Sequence, residues 1–136
     1  MFFAITFLLL SVGCVLAAEA FPIDSIVWTN QLGSNVTFSI EKTNTNTNGQ
    51  VSGYYTSAVG ITGRHPLVGW AVGGRVISWT VKWQDQEHPN FFSVTSWNGY
   101  VDREFHSIVA NWLLTSFTGA VWNSTLIGED VFKPII

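Results

Sequence analysis

The chain has 136 residues, 47% of them hydrophobic, 15% aromatic and only 11% charged, which excludes intrinsic disorder and suits one compact domain rather than two. Its formal charge is −3 and its six basic residues are scattered singly, so no positive face exists to displace counterions from nucleic acid or to hold an anionic membrane. Seven Trp in so short a chain bring large apolar area and an N–H that needs a partner, as expected of ligand-site walls or of an aromatic core.

Residues 1–20 read as a signal peptide. Phe2 to Val15 is an apolar run, followed by the small residues around Leu16-Ala17-Ala18-Glu19-Ala20, and it is too short to favour a membrane anchor. Cleavage fits after Ala18 or after Ala20. Ser11-Val12-Gly13-Cys14 is a poor fit to a lipoprotein site, its first position being Ser. Cys14 is the only cysteine and leaves with the signal. The mature domain, 21–136, is therefore expected outside the cell, or in the periplasm of a bacterial host, without a disulfide. Its stability must come from packing and assembly.

Beyond the signal, helical periodicity is nearly absent, and β-branched and aromatic residues come in short runs between turn residues. Strands are predicted at Ser25–Gln31, Asn35–Glu41, Gln50–Val59, Leu67–Val72, Arg75–Trp83, Phe91–Val101, His106–Thr115 and Trp122–Lys133. The breaks include a polar hairpin tip, Thr43–Gly49, and the segment Gly60–Pro66. Eight short strands with short connections point to an all-β antiparallel meander, closed or packed as a sandwich. Closed as an eight-stranded up-and-down β-barrel, it has room inside for side chains or one small ligand.

Successive side chains of a strand point to opposite faces. One stripe then holds Ile77, Trp79, Val81 and Trp83; another Phe91, Ser93, Thr95 and Trp97; a third Ile108, Ala110, Trp112 and Leu114. Gly53, Tyr55, Ser57 and Val59 form a fourth, and Leu126, Gly128, Asp130 and Phe132 a fifth. Each mixes an apolar part with a polar or aromatic one. Buried polar groups are costly unless paired, so a cavity for a flat, polar ligand explains them better than a packed core; a one-residue slip would instead turn them to solvent. An enzyme is not expected. His65, His88 and His106 fall in separate loops or strand starts without metal-ligand spacing and read as surface histidines, and no phosphate-binding glycine loop opens a helix.

Six segments carry a family resemblance. Trp28-Thr29-Asn30-Gln31-Leu32-Gly33-Ser34 and Tyr55-Thr56-Ser57-Ala58-Val59-Gly60 are the first two. Trp79-Thr80-Val81-Lys82-Trp83, Ser93-Val94-Thr95-Ser96-Trp97 and Trp112-Leu113-Leu114-Thr115-Ser116 follow, and then Trp122 to Asp130. In this order they resemble the avidin family of biotin-binding proteins, over nearly the whole mature chain. The resemblance implies a barrel with biotin as bound ligand and no catalytic cofactor. It assigns Asn30, Ser34 and Tyr55 as donors to the ureido oxygen, and Ser57 and Asp130 as acceptors for the ureido N–H groups. An ionised Asp130 would be the stronger acceptor. Thr95 matches the contact to the thioether sulfur, and Ser93 with a backbone N–H near Ile61 the carboxylate end.

Trp83, Trp97 and Trp112 match an aromatic box with Leu32, Val59 and Leu114 in its gaps. Trp122 matches the side chain that one subunit of a homo-oligomer, expected to be a tetramer, lends to its neighbour. Trp28, Trp70 and Trp79 are left as packing residues. The chain departs from the family at the apolar Ile61, in the Gly60–Pro66 segment with its Pro66, and in a short Ser116–Val121 connection. Of two sequons, Asn35-Val36-Thr37 is the expected glycosylation site in a eukaryotic host, and Asn123, beside Trp122, is expected bare. A lipocalin-like carrier of an apolar ligand and a carbohydrate-binding sandwich are the competing readings.

Overall fold

The computed structural model describes residues 23–42, 49–104 and 106–135. The signal segment 1–20 and residues 43–48 of the hairpin tip lie outside them. The strands are β1 Val27–Thr29, β2 Asn35–Lys42, β3 Gly49–Thr56, β4 Arg64–Val72, β5 Val76–Lys82, β6 Ser93–Val101, β7 Ile108–Ser116 and β8 Thr125–Pro134. Each pairs antiparallel with the next, and β1 pairs with β8, so the chain forms the expected closed eight-stranded meander. Closure leaves no sheet edge to be managed. Its seam is short: Trp28 opposes Pro134, Thr29 opposes Lys133, and the Ile135 N–H donates to the Val27 carbonyl at 2.8 Å.

Period-two alternation builds the interior. Ile77, Trp79 and Val81 of β5, Val36, Phe38 and Ile40 of β2, and Ile108 and Ala110 of β7 are buried, while their sequence neighbours are partly or fully exposed. One end of the barrel is packed solid. There Trp79 meets the edges of Phe38 at 5.0 Å and Phe132 at 5.5 Å, and Trp28 and Ile23 complete the plug. The Trp79 indole N–H has no hydrogen-bond partner among the described residues, a cost of about 1–3 kcal/mol that the surrounding aromatic packing must outweigh.

Several expected boundaries move. β4 begins at Arg64 and runs through Pro66, where a break was expected. Pro66 is tolerated because pairing with β5 starts one residue later, at Leu67. As a result His65, expected on the surface, is an inward residue of β4, 3% exposed. Trp70, expected to pack inside, has the opposite parity and is 61% exposed on the outer face. β3 ends at Thr56, which leaves Ser57 and Val59 in the following connection. Phe91 precedes β6, and Trp122 sits in a 3-10 turn, Val121–Asn123, rather than in a strand. Leu126 is exposed rather than interior. Asn35 opens β2, half-buried.

Gly53 shows how tightly neighbouring strands meet. Its φ is +145°, and a Cβ there would stand 1.9 Å from the Thr37 carbonyl oxygen of β2. Backbone cannot move aside as a flexible side chain can. Gly53→Ala is therefore expected to destabilise the barrel, by roughly 1–3 kcal/mol for the backbone conformation alone and more for the clash. Urea unfolding monitored by Trp fluorescence measures this; an unchanged midpoint would contradict the close β2–β3 approach.

Candidate functional site

Opposite the packed end, a cavity of about 360 Å³ opens among the connections 30–34, 57–63 and 83–92 and the end of β7 at Ser116. Fourteen of the fifteen expected ligand residues line it: Asn30, Leu32, Ser34, Tyr55, Ser57, Val59, Ile61, Trp83, Ser93, Thr95, Trp97, Trp112, Leu114 and Asp130. The fifteenth, Trp122, is 86% exposed and outside the cavity of its own chain.

The turn after β1 arms the floor. The Asn30 Oδ1 accepts the backbone N–H groups of Leu32 and Ser34 at 3.1 and 2.9 Å. That is ordinary Asx-turn chemistry, and it commits the oxygen while leaving the amide N–H₂ to donate. The Ser34 hydroxyl oxygen likewise accepts the Ala58 N–H at 2.9 Å, which ties two connections together and leaves its proton available. Beside both lies the Tyr55 hydroxyl. Burial pushes its pKa up from 10.0 to about 12; hydrogen bonding to Ser34 and Asn30 pulls the other way, and the charge of Asp130 adds to the rise. Tyr55 therefore remains a donor throughout the neutral range. Three donors converge on one spot.

Across the floor stands Asp130, 5% exposed. Its Oδ2 accepts the Trp97 indole N–H and its Oδ1 the Gln31 amide N–H, both at 2.9 Å. Gln31 is in turn anchored by its Oε1, which accepts the Val131 N–H at 3.1 Å. Among the described residues no cation lies within ion-pair distance of Asp130. A carboxylate has about four lone-pair sites, so acceptor capacity remains after two neutral donors. Ser57 is a further acceptor: its hydroxyl donates to the Val59 carbonyl and takes the Val59 N–H at 3.2 Å, which leaves one lone pair.

Aromatic rings form the walls. Trp97 stacks between Tyr55, 4.8 Å away, and the core residue Trp79, 5.5 Å away, so a rigid column links the cavity to the plug. Trp83 meets Tyr55 edge-on, and its indole N–H donates to the Thr95 hydroxyl oxygen at 2.7 Å. Behind Trp83 lies His65, 5.1 Å between centroids, with Nε2 3.3 Å from the Thr62 carbonyl. Trp112 fits because Gly128 faces it on β8: a Cβ at 128 would stand 2.2 Å from the indole ring.

Gln31, Gly60, Phe91 and Ser116 also line the cavity and were not among the expected ligand residues. Gln31 stands within the first matching segment, but its role depends on β8 returning beside β1. His88 and His106 do lie on loops, beside Asp85 and Glu104 respectively. No cluster of three or more potential metal ligands occurs among the described residues.

The family model described as "Avidin family" matches residues 23–135. Among solved structures, apo short afifavidin is 32% identical with a TM-score of 0.66, covering 86% of this chain and 100% of that one. Apo shwanavidin is 26% identical with a TM-score of 0.69, covering 82% and 95%. A shwanavidin variant in complex with biotin is 26% identical with a TM-score of 0.70, covering 86% and 100%.

The Tyr55 shift has a stability consequence of definite sign. Its neutral form is favoured by folding, so its contribution is complete below pH 10 and is lost as pH rises toward about 12, a decline of roughly 2–3 kcal/mol. Tyr55→Phe is expected to remove that part of the alkaline loss. Urea midpoints of both proteins between pH 9 and pH 12 measure the difference, and parallel curves would disprove it.

Proposed function

Because the chain belongs to the avidin family, we propose that it binds biotin, without catalysis, in the open end of its barrel. The observation that carries this reading is the floor of the cavity. A ureido group offers one carbonyl oxygen and two N–H groups; Asn30, Ser34 and Tyr55 offer donors to the former, and Asp130 and Ser57 offer acceptors to the latter. Donation to Asp130 polarises the ureido toward its oxygen, so the two sides strengthen each other. Trp83, Trp97 and Trp112 enclose the bicycle, with Leu32, Val59 and Leu114 filling gaps. Thr95, its oxygen taken by Trp83, turns its proton toward the thioether. An apolar-ligand carrier would have little use for such a floor.

Asp130→Ala removes the polarising acceptor but little packing. A hydrogen bond to a charged group contributes about 1.5–3 kcal/mol, so affinity is expected to fall roughly tenfold to over a hundredfold with far-UV circular dichroism unchanged. Calorimetry with biotin measures it; equal affinity in the variant removes Asp130 from the site.

Assembly belongs to the same reading. Trp122 projects from the connection before β8 at the open end, and Val94, Leu113 and Ile127 leave an apolar outer face on β6 to β8. We read these as surfaces for further copies, up to a tetramer, with Trp122 closing a neighbour's cavity. Secretion by way of residues 1–20 and a glycan on Asn35 complete the proposal. Trp122→Lys exchanges buried aromatic area for a desolvated charge and is expected both to speed biotin release and to reduce the assembly mass. Off-rates and light scattering on one sample test the pair; a variant that keeps both values leaves Trp122 a residue of its own subunit.

A further inference from the structure

The 57–63 connection is tied down unevenly. Its first half is joined to the 30–34 turn by the Ala58 N–H on the Ser34 hydroxyl, and is closed on itself between Ser57 and Val59. Its second half has far less. Gly60 and Gly63 stand at positive φ, +78° and +98°, each with open space where a Cβ would point. Outside the strand ladder, residues 60–63 make one hydrogen bond among the described residues: the His65 ring nitrogen Nε2 lies 3.3 Å from the Thr62 carbonyl oxygen. Ile61, next to Thr62, is buried and borders the cavity. One apolar side chain and one hydrogen bond keep this stretch against the barrel.

Strand parity puts His65 within reach. On β4 it opposes Tyr55 of β3 and faces inward, as Leu67 does two residues on. It is not among the residues that line the cavity; Trp83 stands between. The His65 ring meets Trp83 edge-on, 5.1 Å between centroids, and Trp83 in turn meets Tyr55 and donates to Thr95. A carbonyl oxygen accepts and does not donate, so the proton sits on Nε2. An apolar side chain would satisfy packing alone at a buried position such as this. The imidazole adds a donor, and the acceptor it finds belongs to the loop.

We propose that His65 is a positioning residue of this site: without touching the ligand, it latches the 60–63 stretch against the barrel and thereby sets how fast the ligand escapes. The inference rests on the biotin reading given above. With the ureido group on the floor, the ligand leaves by the open end, where Gly60 and Ile61 border its path. Swinging the stretch outward about its two glycines breaks the His65 bond and uncovers Ile61. Both losses belong to the barrier against release, since a segment with few contacts opens at a cost set by those few.

Biotin off-rates of the full assembled protein as wild type, His65→Phe and His65→Gln test the latch. Phe keeps a ring against Trp83 but has no donor; Gln gives up the ring and keeps an N–H. Loss of one neutral hydrogen bond eases opening, so His65→Phe is expected to release biotin roughly fivefold faster than wild type, with His65→Gln within about twofold of it. A role in packing alone predicts the reverse order, because Phe preserves what Gln loses. His65→Phe releasing biotin at the wild-type rate, or His65→Gln releasing it as fast as His65→Phe, overturns the inference and leaves biotin binding standing. A wild-type protein that binds no biotin overturns the biotin reading, and the latch with it.

Discussion

Everything in the open half of the barrel is arranged around one buried carboxylate that has no cationic partner among the described residues. Asp130 is held by two neutral donors, the indole of Trp97 and the amide of Gln31. A salt bridge would have consumed its acceptor capacity and, at this depth, desolvated a second charge as well. Neutral donors instead fix the orientation of the group and leave lone pairs directed at the cavity. Gln31 spans the turn after β1 and the backbone of β8, so the same side chain that orients Asp130 also bridges the short closing seam.

The aromatic column explains why half the barrel stays open while half is solid. Trp79, Trp97 and Tyr55 stack in sequence, and Trp83 leans on the end of that stack with His65 behind it. Rings of this size cannot collapse into the cavity without breaking their offset contacts, each contributing about 0.5–1.5 kcal/mol beyond area. Small residues matter for the complementary reason. Gly128 lets Trp112 lie close against β8, where any side chain would displace the wall. A preformed, rigid cavity of this kind spares a ligand the cost of ordering its site.

The turn chemistry and the proposed binding chemistry draw on the same side chains. Asn30 and Ser34 use their oxygens to fold the connections 30–34 and 57–63, and what remains on each side chain is a donor. An Asn or Ser that shapes a turn and one that borders the cavity with a donor are therefore not alternatives here.

Strand identity, face alternation and the inward position of the polar residues were legible in the amino-acid sequence, because period two is a local property. So were the six family segments, since they keep their order along the chain. The exceptions fall at strand ends, on β3, β6 and β8 as well as on β4, where Pro66 is the cause. Reading Pro66 as a break cut that strand short and hid His65, whose inward parity follows once the strand starts at Arg64; the same parity turns Trp70 outward. Only the tertiary structure decided which inward positions fill one another and which border empty volume, since that depends on the registers of eight ladders and on closure of β1 with β8. Gln31 belongs to the same class. Its partners Asp130 and Val131 lie about a hundred residues away, and no local pattern brings them together; the closure of the barrel does.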